Sequence, residues 1–204
     1  MLFEDTYKTV EQPVEGLYRD KGSKFLAFAY PMTNENELKP ILLQLRAAHT
    51  KANHFCYAYR LTPDRSVYRA NDDGEPSGTA GRPILNVLLS ADITNTLIVV
   101  VRYFGGTLLG VPGLINAYKC AAADAISLAA VIEKTVNDRY ELNFDYLAMN
   151  DVMRLIKEEQ LTIVCQQFDN QCCIIFDVRK SQLNKVMQKI EQQAGLSLKY
   201  LGTV

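Results

Sequence analysis

Apolar positions along this chain recur with a period near two in some stretches and near 3.6 in others, and the switches between them mark the elements. SKFLAFAYPM (23–32) reads as a strand. NELKPILLQLRAAH (36–49) then sets Leu38, Ile41, Leu42 and Leu45 on one stripe and predicts a helix capped by Asn36. Pro40 fits there because a first turn has N–H groups to spare. NHFCYAYRL (53–61) and SVYRA (66–70) predict strands on either side of a turn at Thr62–Asp64, and a helix follows from about Thr79 to Ser90. TLIVVVRYF (96–104) is continuously apolar rather than alternating, so both of its faces are expected to be covered. Gly105-Gly106 end it, and GLINAYKCAAADAISLAAV (113–131) predicts an alanine-lined helix that packs closely on a sheet.

From about Glu133 the pattern restarts. RYELNFDY alternates as a strand, LAMNDVMRLIKEEQ (147–160) is an amphipathic helix, and LTIVCQQF and CCIIFDV flank a hairpin signal at Asp169-Asn170. SQLNKVMQKIEQQAG predicts a helix capped by Ser181 and closed by Gly195, with LSLKYLGTV as the last strand. The order β-α-β-β-α-β is that of a ferredoxin-like split βαβ. The expected fold class is α+β in two domains, 1–132 and 133–204, joined near 132–137 by IEKTVN.

Composition narrows the function classes. The 204 residues are 48% hydrophobic and 22% charged, ordinary for a soluble protein with a full core. No apolar run approaches a membrane span, and MLFEDTYKTVEQ lacks the basic-then-apolar order of a leader, so a cytoplasmic protein with no membrane partner is expected. Net charge is −1, with 13 Lys and Arg against 13 Asp and Glu up to residue 132 and 9 against 10 beyond it. A protein that coats nucleic acid is not indicated, and any such contact needs a local patch. The five cysteines form no C-x-x-C pair, and His49 and His54 are too few for a histidine zinc site. Cys172 and Cys173 are adjacent in a strand and point to opposite faces. Neither a metal nor a cofactor is expected.

Three stretches carry candidate chemistry. NDDGEPSGTAGRP (71–83) reads first as a turn, with Ser77 or Thr79 capping the helix. Its functional readings are that Asp72, Asp73 and Glu75 converge on a hard cation, or that the N–H groups of Gly78–Gly81 receive an anion beside Arg82. GTAG is no Walker motif, since no G-K-[ST] follows. Arg102 ends the most buried strand, where a guanidinium cannot shed its charge and must be paired; the acids at 72–75 are the nearest unexplained partners. Gly105, Gly106, Gly110 and Gly113 allow close approach by a ligand or by the following helix. In 53–60, His54 and Cys56 share a face with Ala58 and Arg60, while Phe55, Tyr57 and Tyr59 share the other, which reads as core. A Cys–His nucleophile pair there lacks an orienting third group.

From Gly81 to Gly110 the chain keeps the pattern G-x(2)-[IL](2)-x(2)-L-x(4)-I-x(5)-V-V-x-R-Y-F-G-G-x(2)-L-G, which resembles the signature of the IMPACT/YigZ family. DDGEPSGTAGRP before it and His54 with Tyr57-Ala58-Tyr59-Arg60 upstream are similar to that family too. The resemblance covers essentially the whole chain. It implies a ribosomal protein S5 domain 2-like N-terminal domain and a ferredoxin-like C-terminal domain akin to domain V of EF-G. It also implies a non-enzymatic binding protein, since eukaryotic IMPACT regulates translation initiation by competing for an activator of an eIF2-alpha kinase. RNA, the ribosome or a translation-associated protein are the partners so implied. The binding surface would comprise His54, Tyr57, Arg60, Asp72, Asp73, Gly74, Glu75, Gly78, Thr79, Gly81, Arg82, Arg102, Tyr103, Gly105, Gly106 and Gly110, with no catalytic residue assigned. The alternative is a metal-dependent hydrolase built on Asp72, Asp73 and Glu75.

Overall fold

In the computed structural model, which describes residues 5–169 and 172–204, the chain parts into two units. The first, residues 7–134, is built on an antiparallel sheet of five strands: β2 (Val14–Asp20), β3 (Ser23–Pro31), β4 (His54–Leu61), β5 (Val67–Asn71) and β6 (Thr96–Tyr103). Their spatial order is β2-β3-β6-β4-β5. A shorter strand, β1 (Thr6–Val10), pairs with β7 (Val131–Thr135). The helices are α1 (Leu38–Ala48), α2 (Gly81–Ser90) and α3 (Gly110–Leu128).

The central place of β6 explains its unbroken apolar run. Ile98 and Val100 face one cluster with Ile84 and Leu88 of α2 and Tyr118 and Ala121 of α3. Leu97, Val99 and Val101 face the other, with Leu45 of α1 and with Phe55, Tyr57 and Tyr59 of β4. Helices on both sides of an antiparallel sheet thus produce the pattern usual for parallel strands. Each of the five aliphatic side chains 97–101 is completely buried, a contribution of about 1.5–3 kcal/mol apiece. Ala117, Ala121, Ala122 and Ala125 are buried as well, and they let α3 lie close on the sheet as its composition predicts.

Some boundaries move. The cap of the first helical segment is Asn34, not Asn36: its side chain accepts from Asn36 N–H while Glu37 reaches back to Asn34 N–H, a capping box on a short 3₁₀ turn ahead of α1. Helix α3 starts at Gly110, three residues before the apolar pattern suggests. The segment expected to join the domains, IEKTVN, is mostly strand β7.

The second unit, residues 135–204 with Asp5 and Thr6, runs β8 (Asn137–Phe144), α4 (Met149–Glu158), β9 (Thr162–Phe168), β10 (Cys172–Arg179), α5 (Leu183–Glu191), β11 (Ser197–Thr203). The expected β-α-β-β-α-β order is present, and the sheet is antiparallel in the order β11-β8-β10-β9. Leu142, Phe144, Ile174 and Phe176 pack against Val152, Leu155 and Ile156 of α4 and Val186 and Ile190 of α5. Cys172 is buried in that core and Cys173 is not, as opposite faces require. Ser181 sits inside a 3₁₀ turn, Lys180–Gln182, and does not cap α5; Gln182 holds that place without a side-chain bond. Asn170 of the predicted hairpin lies outside the described residues. Among the described residues no helix is long and apolar enough to cross a membrane.

Both ends of the described chain are tied into this unit. Val136 N–H donates to the Asp5 carbonyl at 2.7 Å, and Asn137 and Val204 exchange backbone bonds at 2.9 and 2.7 Å. The Asp5 carboxylate takes two bonds from Arg179 at 2.7 and 3.0 Å, and these hold its pKa down to about 2.

Candidate functional site

The acid-rich stretch joins β5 to α2, and its shape begins with Gly81. A Cβ there would lie 2.5 Å from Asn71 N, so only glycine lets the first turn of α2 press on the end of β5. That contact brings Asp72 over the helix start. Its Oδ1 accepts from Ala80 N–H at 3.0 Å and Gly81 N–H at 2.8 Å, and its Oδ2 from Gly78 N–H at 2.9 Å. A carboxylate at a helix N-terminus is favourable, both for the dipole and for the unsatisfied N–H groups. The anion site expected at Gly78–Gly81 is therefore filled by the chain itself. Neither Ser77 nor Thr79 caps the helix; the Thr79 hydroxyl donates to the Pro76 carbonyl at 2.7 Å.

The next two acids turn elsewhere. Asp73 has φ +40° and Gly74 φ +86°, so the backbone reverses direction between the carboxylates. Asp73 accepts from Phe55 N–H at 2.7 Å and from Arg46 at 3.0 Å. Its carbonyl lies 2.9 Å from His54 Nδ1, and since a carbonyl only accepts, that nitrogen carries the proton. Glu75 Oε1 accepts from Arg102 Nη1 at 2.6 Å and from the Tyr118 hydroxyl at 2.7 Å. Arg102 thus finds its expected carboxylate, with the two side chains only 6% and 4% exposed. Beyond Tyr118 the network reaches Cys56, whose Sγ lies 3.3 Å from the Tyr118 hydroxyl and 2.9 Å from the Asp72 carbonyl. Burial pushes both the Cys56 thiol and the Tyr118 phenol well up.

These partners bear on the two alternative readings of the acids and of the Cys–His pair. Asp72, Asp73 and Glu75 do not converge on a cation: each serves a different set of the chain's own donors, and no three-ligand group of His, Cys, Asp or Glu is present among the described residues. A metal would have to displace two guanidinium groups, a phenol and four backbone N–H groups. The Cys–His pair fails as a nucleophile because Cys56 is a buried thiol held protonated, while His54 is bonded to Asp73.

The remaining predicted residues scatter. Tyr57 is buried in the core beneath α1 rather than offered at a surface. Arg60 lies at the other end of β4, near Asp92 at 3.5 Å, where Arg65 also pairs at 2.7 Å. Tyr103 bonds His49 at 2.8 Å on the α1 side of the sheet. At Gly105 an added Cβ would lie 1.9 Å from Gly22 C, so the close approach is made by the β2–β3 turn and not by a ligand or helix. Gly106 follows in the loop that leads into α3, and Gly110 is the first residue of that helix. Arg82 is exposed on α2 and lines an open groove of about 920 Å3 between α2 and α3, with Lys119 on the other side.

What sequence reasoning missed is Tyr118 and the apolar loop. Tyr118 stands beside Ala117 on a face otherwise lined with alanine, and that one bulky hydroxyl-bearing side chain was the available signal. The loop contributes Phe104 and Leu108, which with His54, Glu75, Arg102 and Val111 line a second groove of about 470 Å3. The Arg102 guanidinium lies 5.5 Å from the ring centres of both Phe25 and Phe104.

Comparison with known proteins follows the same stretch. The family model described as Impact N-terminal domain matches residues 21–126. The IMPACT family member YvyE of Bacillus subtilis is 32% identical over 78% of this chain and 73% of its own. The IMPACT family member YigZ of Escherichia coli is 34% identical over 71% and 72%. A crystal structure described as a hypothetical protein superposes with a TM-score of 0.74 over 98% of both chains, at 26% identity.

Proposed function

The chain belongs to the IMPACT/YigZ family, and on that premise we propose that it is a cytoplasmic binding protein with a translation-related role, its partner being RNA, the ribosome or a translation-associated protein. The observation that carries this reading is the fate of the acids at 72–75. A catalytic carboxylate must keep lone pairs directed at a substrate, whereas these three are turned onto Gly78–Gly81, Arg46 and Arg102. The motif is accordingly a latch that fixes the shape of one end of the sheet. The surface it shapes, around His54, Arg102, Gly106 and Gly110, is the proposed contact region. We assign the first unit to the ribosomal protein S5 domain 2-like fold and the second to the ferredoxin-like, EF-G domain V-like fold; the split βαβ order supports the latter.

Sedimentation of native lysate through a density gradient tests the reading. At low salt the protein is expected in the ribosomal or RNA-bearing fractions, and high salt is expected to release it. Nuclease treatment separates an RNA partner from a protein one. A protein that stays at the top of the gradient under every condition, and is not shifted by purified ribosomes or RNA, sinks the proposal.

A further inference from the structure

Helices α2 and α3 lie side by side on one face of the first sheet, and a groove of about 920 Å3 runs between them. Its floor is apolar. Val87 and Leu89 come from α2, Ile115 and Ile126 from α3, and Leu89 is 46% and Ile115 39% exposed. Bulky aliphatic side chains this open, grouped and rimmed by polar groups, mark a contact surface rather than a scatter of single residues. The ionisable groups that line the groove are Arg82 on α2 and Lys119 on α3. Among the described residues neither has a carboxylate partner. Acids close by in sequence are engaged elsewhere: Asp124 accepts from Leu17 N–H at 2.8 Å on the β2 side of α3, and Asp92 pairs with Arg60 and Arg65. The groove therefore carries two uncompensated positive charges, one on each wall, over an aliphatic floor.

We propose that this groove docks an acidic amphipathic helix of a partner protein, its apolar stripe against Leu89, Ile115 and Ile126 and its carboxylates beside Arg82 and Lys119. The walls select the conformation. Both are helices whose backbone groups are bonded internally, so an extended segment would find no ladder here and would bury unpaired N–H and C=O groups. A helix arrives with its own backbone satisfied. The lining selects the charge: a carboxylate meets a cation at either wall, whereas a basic helix is repelled at both. A nucleic acid would find only two cations for its phosphates and would leave the aliphatic floor unmatched. A second copy of this chain fits no better. Two-fold pairing of the groove sets Arg82 and Lys119 against like charges, and α1, α4 and α5 keep their apolar stripes in their own cores. The groove shares no lining residue with the one around His54 and Arg102, so it is a second contact surface and holds whether or not the protein engages ribosomes.

Selection from a displayed library of helical peptides tests this, with the full-length protein as bait, leucines fixed at i, i+3, i+4 and i+7, and the flanking positions free. The wild-type protein is expected to enrich glutamate and aspartate at the flanks, and the double variant Arg82→Glu with Lys119→Glu to enrich lysine and arginine instead. The best acidic peptide, made synthetically, should give saturable amide NMR shifts at Leu89, Ile115 and Lys119. Its affinity should fall about tenfold in the double variant, and by at least as much in Leu89→Asp. All three positions are exposed, so the variants are expected to fold, and thermal melts check that they do. No enrichment over an unrelated bait, acid enrichment that survives the charge reversal, or shifts confined to other surfaces overturns the proposal. So does an RNA oligonucleotide that moves these amides where the peptide does not, or dimerisation in the ultracentrifuge that Leu89→Asp abolishes.

Discussion

Arg102 and Glu75 form a pair that neither member survives without. Truncating one partner strands the other charge in a nearly dry site, at a cost of about 3–5 kcal/mol. Arg102→Ala is expected to fall in that range in chemical denaturation, and Arg102→Met with Glu75→Gln to recover much of it, because no lone charge then remains buried. Asp72→Ala should cost about 1–2 kcal/mol through loss of the α2 cap, measured the same way. That Arg102 needed an acid was legible, because a guanidinium in an aliphatic strand has no neutral form to retreat to. Which acid was not legible. Three carboxylates within four positions differ only in direction, and that direction is set by the positive φ values at Asp73 and Gly74.

Elements were readable where their periodicity is strong and their neighbours supply a core. Strands β3, β4 and β6 and helix α1 lie close to where the apolar pattern puts them. Strands β1, β2 and β7 escaped it, being short or charged. Strand β2 also contains Gly16, which reads as a breaker but is there because the α3 backbone at Ala125 approaches to 2.3 Å of where a Cβ would be. The same distinction governs the glycine pair after β6. Gly105→Ala drives a methyl into the β2–β3 turn and should cost about 1–3 kcal/mol, as overpacking does. Gly106→Ala meets nothing within 4 Å and bears only the strain of its φ of +86°, about 1 kcal/mol. Thermal melts should rank the two variants in that order; a reversed ranking would mean the loop packs otherwise. The anion expected at α2 failed for a related reason: the carboxylate that fills the site comes from six to nine residues upstream, brought in by a backbone contact that periodicity does not encode.

At the scale of the whole chain, the tie between Asp5 and Arg179 makes stability depend on acid. The Asp5 pKa is about 2 in the folded protein against an ordinary 3.8, so its contribution is complete above that ordinary value. It declines as pH falls from about 4 through 2, and denaturation midpoints of Asp5→Asn should lack that part of the acid slope. A fragment of residues 133–204 should melt cooperatively around its own core, at a lower temperature than in the full chain because the Asp5 bonds are absent. A fragment with no cooperative transition would mean that the unit does not fold alone. One more property follows from the termini. Asp5 and Val204 are anchored in the second unit, while residues 7–134 run between its two parts, so the first unit is threaded into the second as an insertion. Tension applied between residues 5 and 204 loads the second unit first, through the bonds of Asp5 to Val136 and Arg179 and of Asn137 to Val204. In an optical trap it should therefore yield first in every trajectory, shielding the inserted unit from load even if the inserted unit is the weaker of the two.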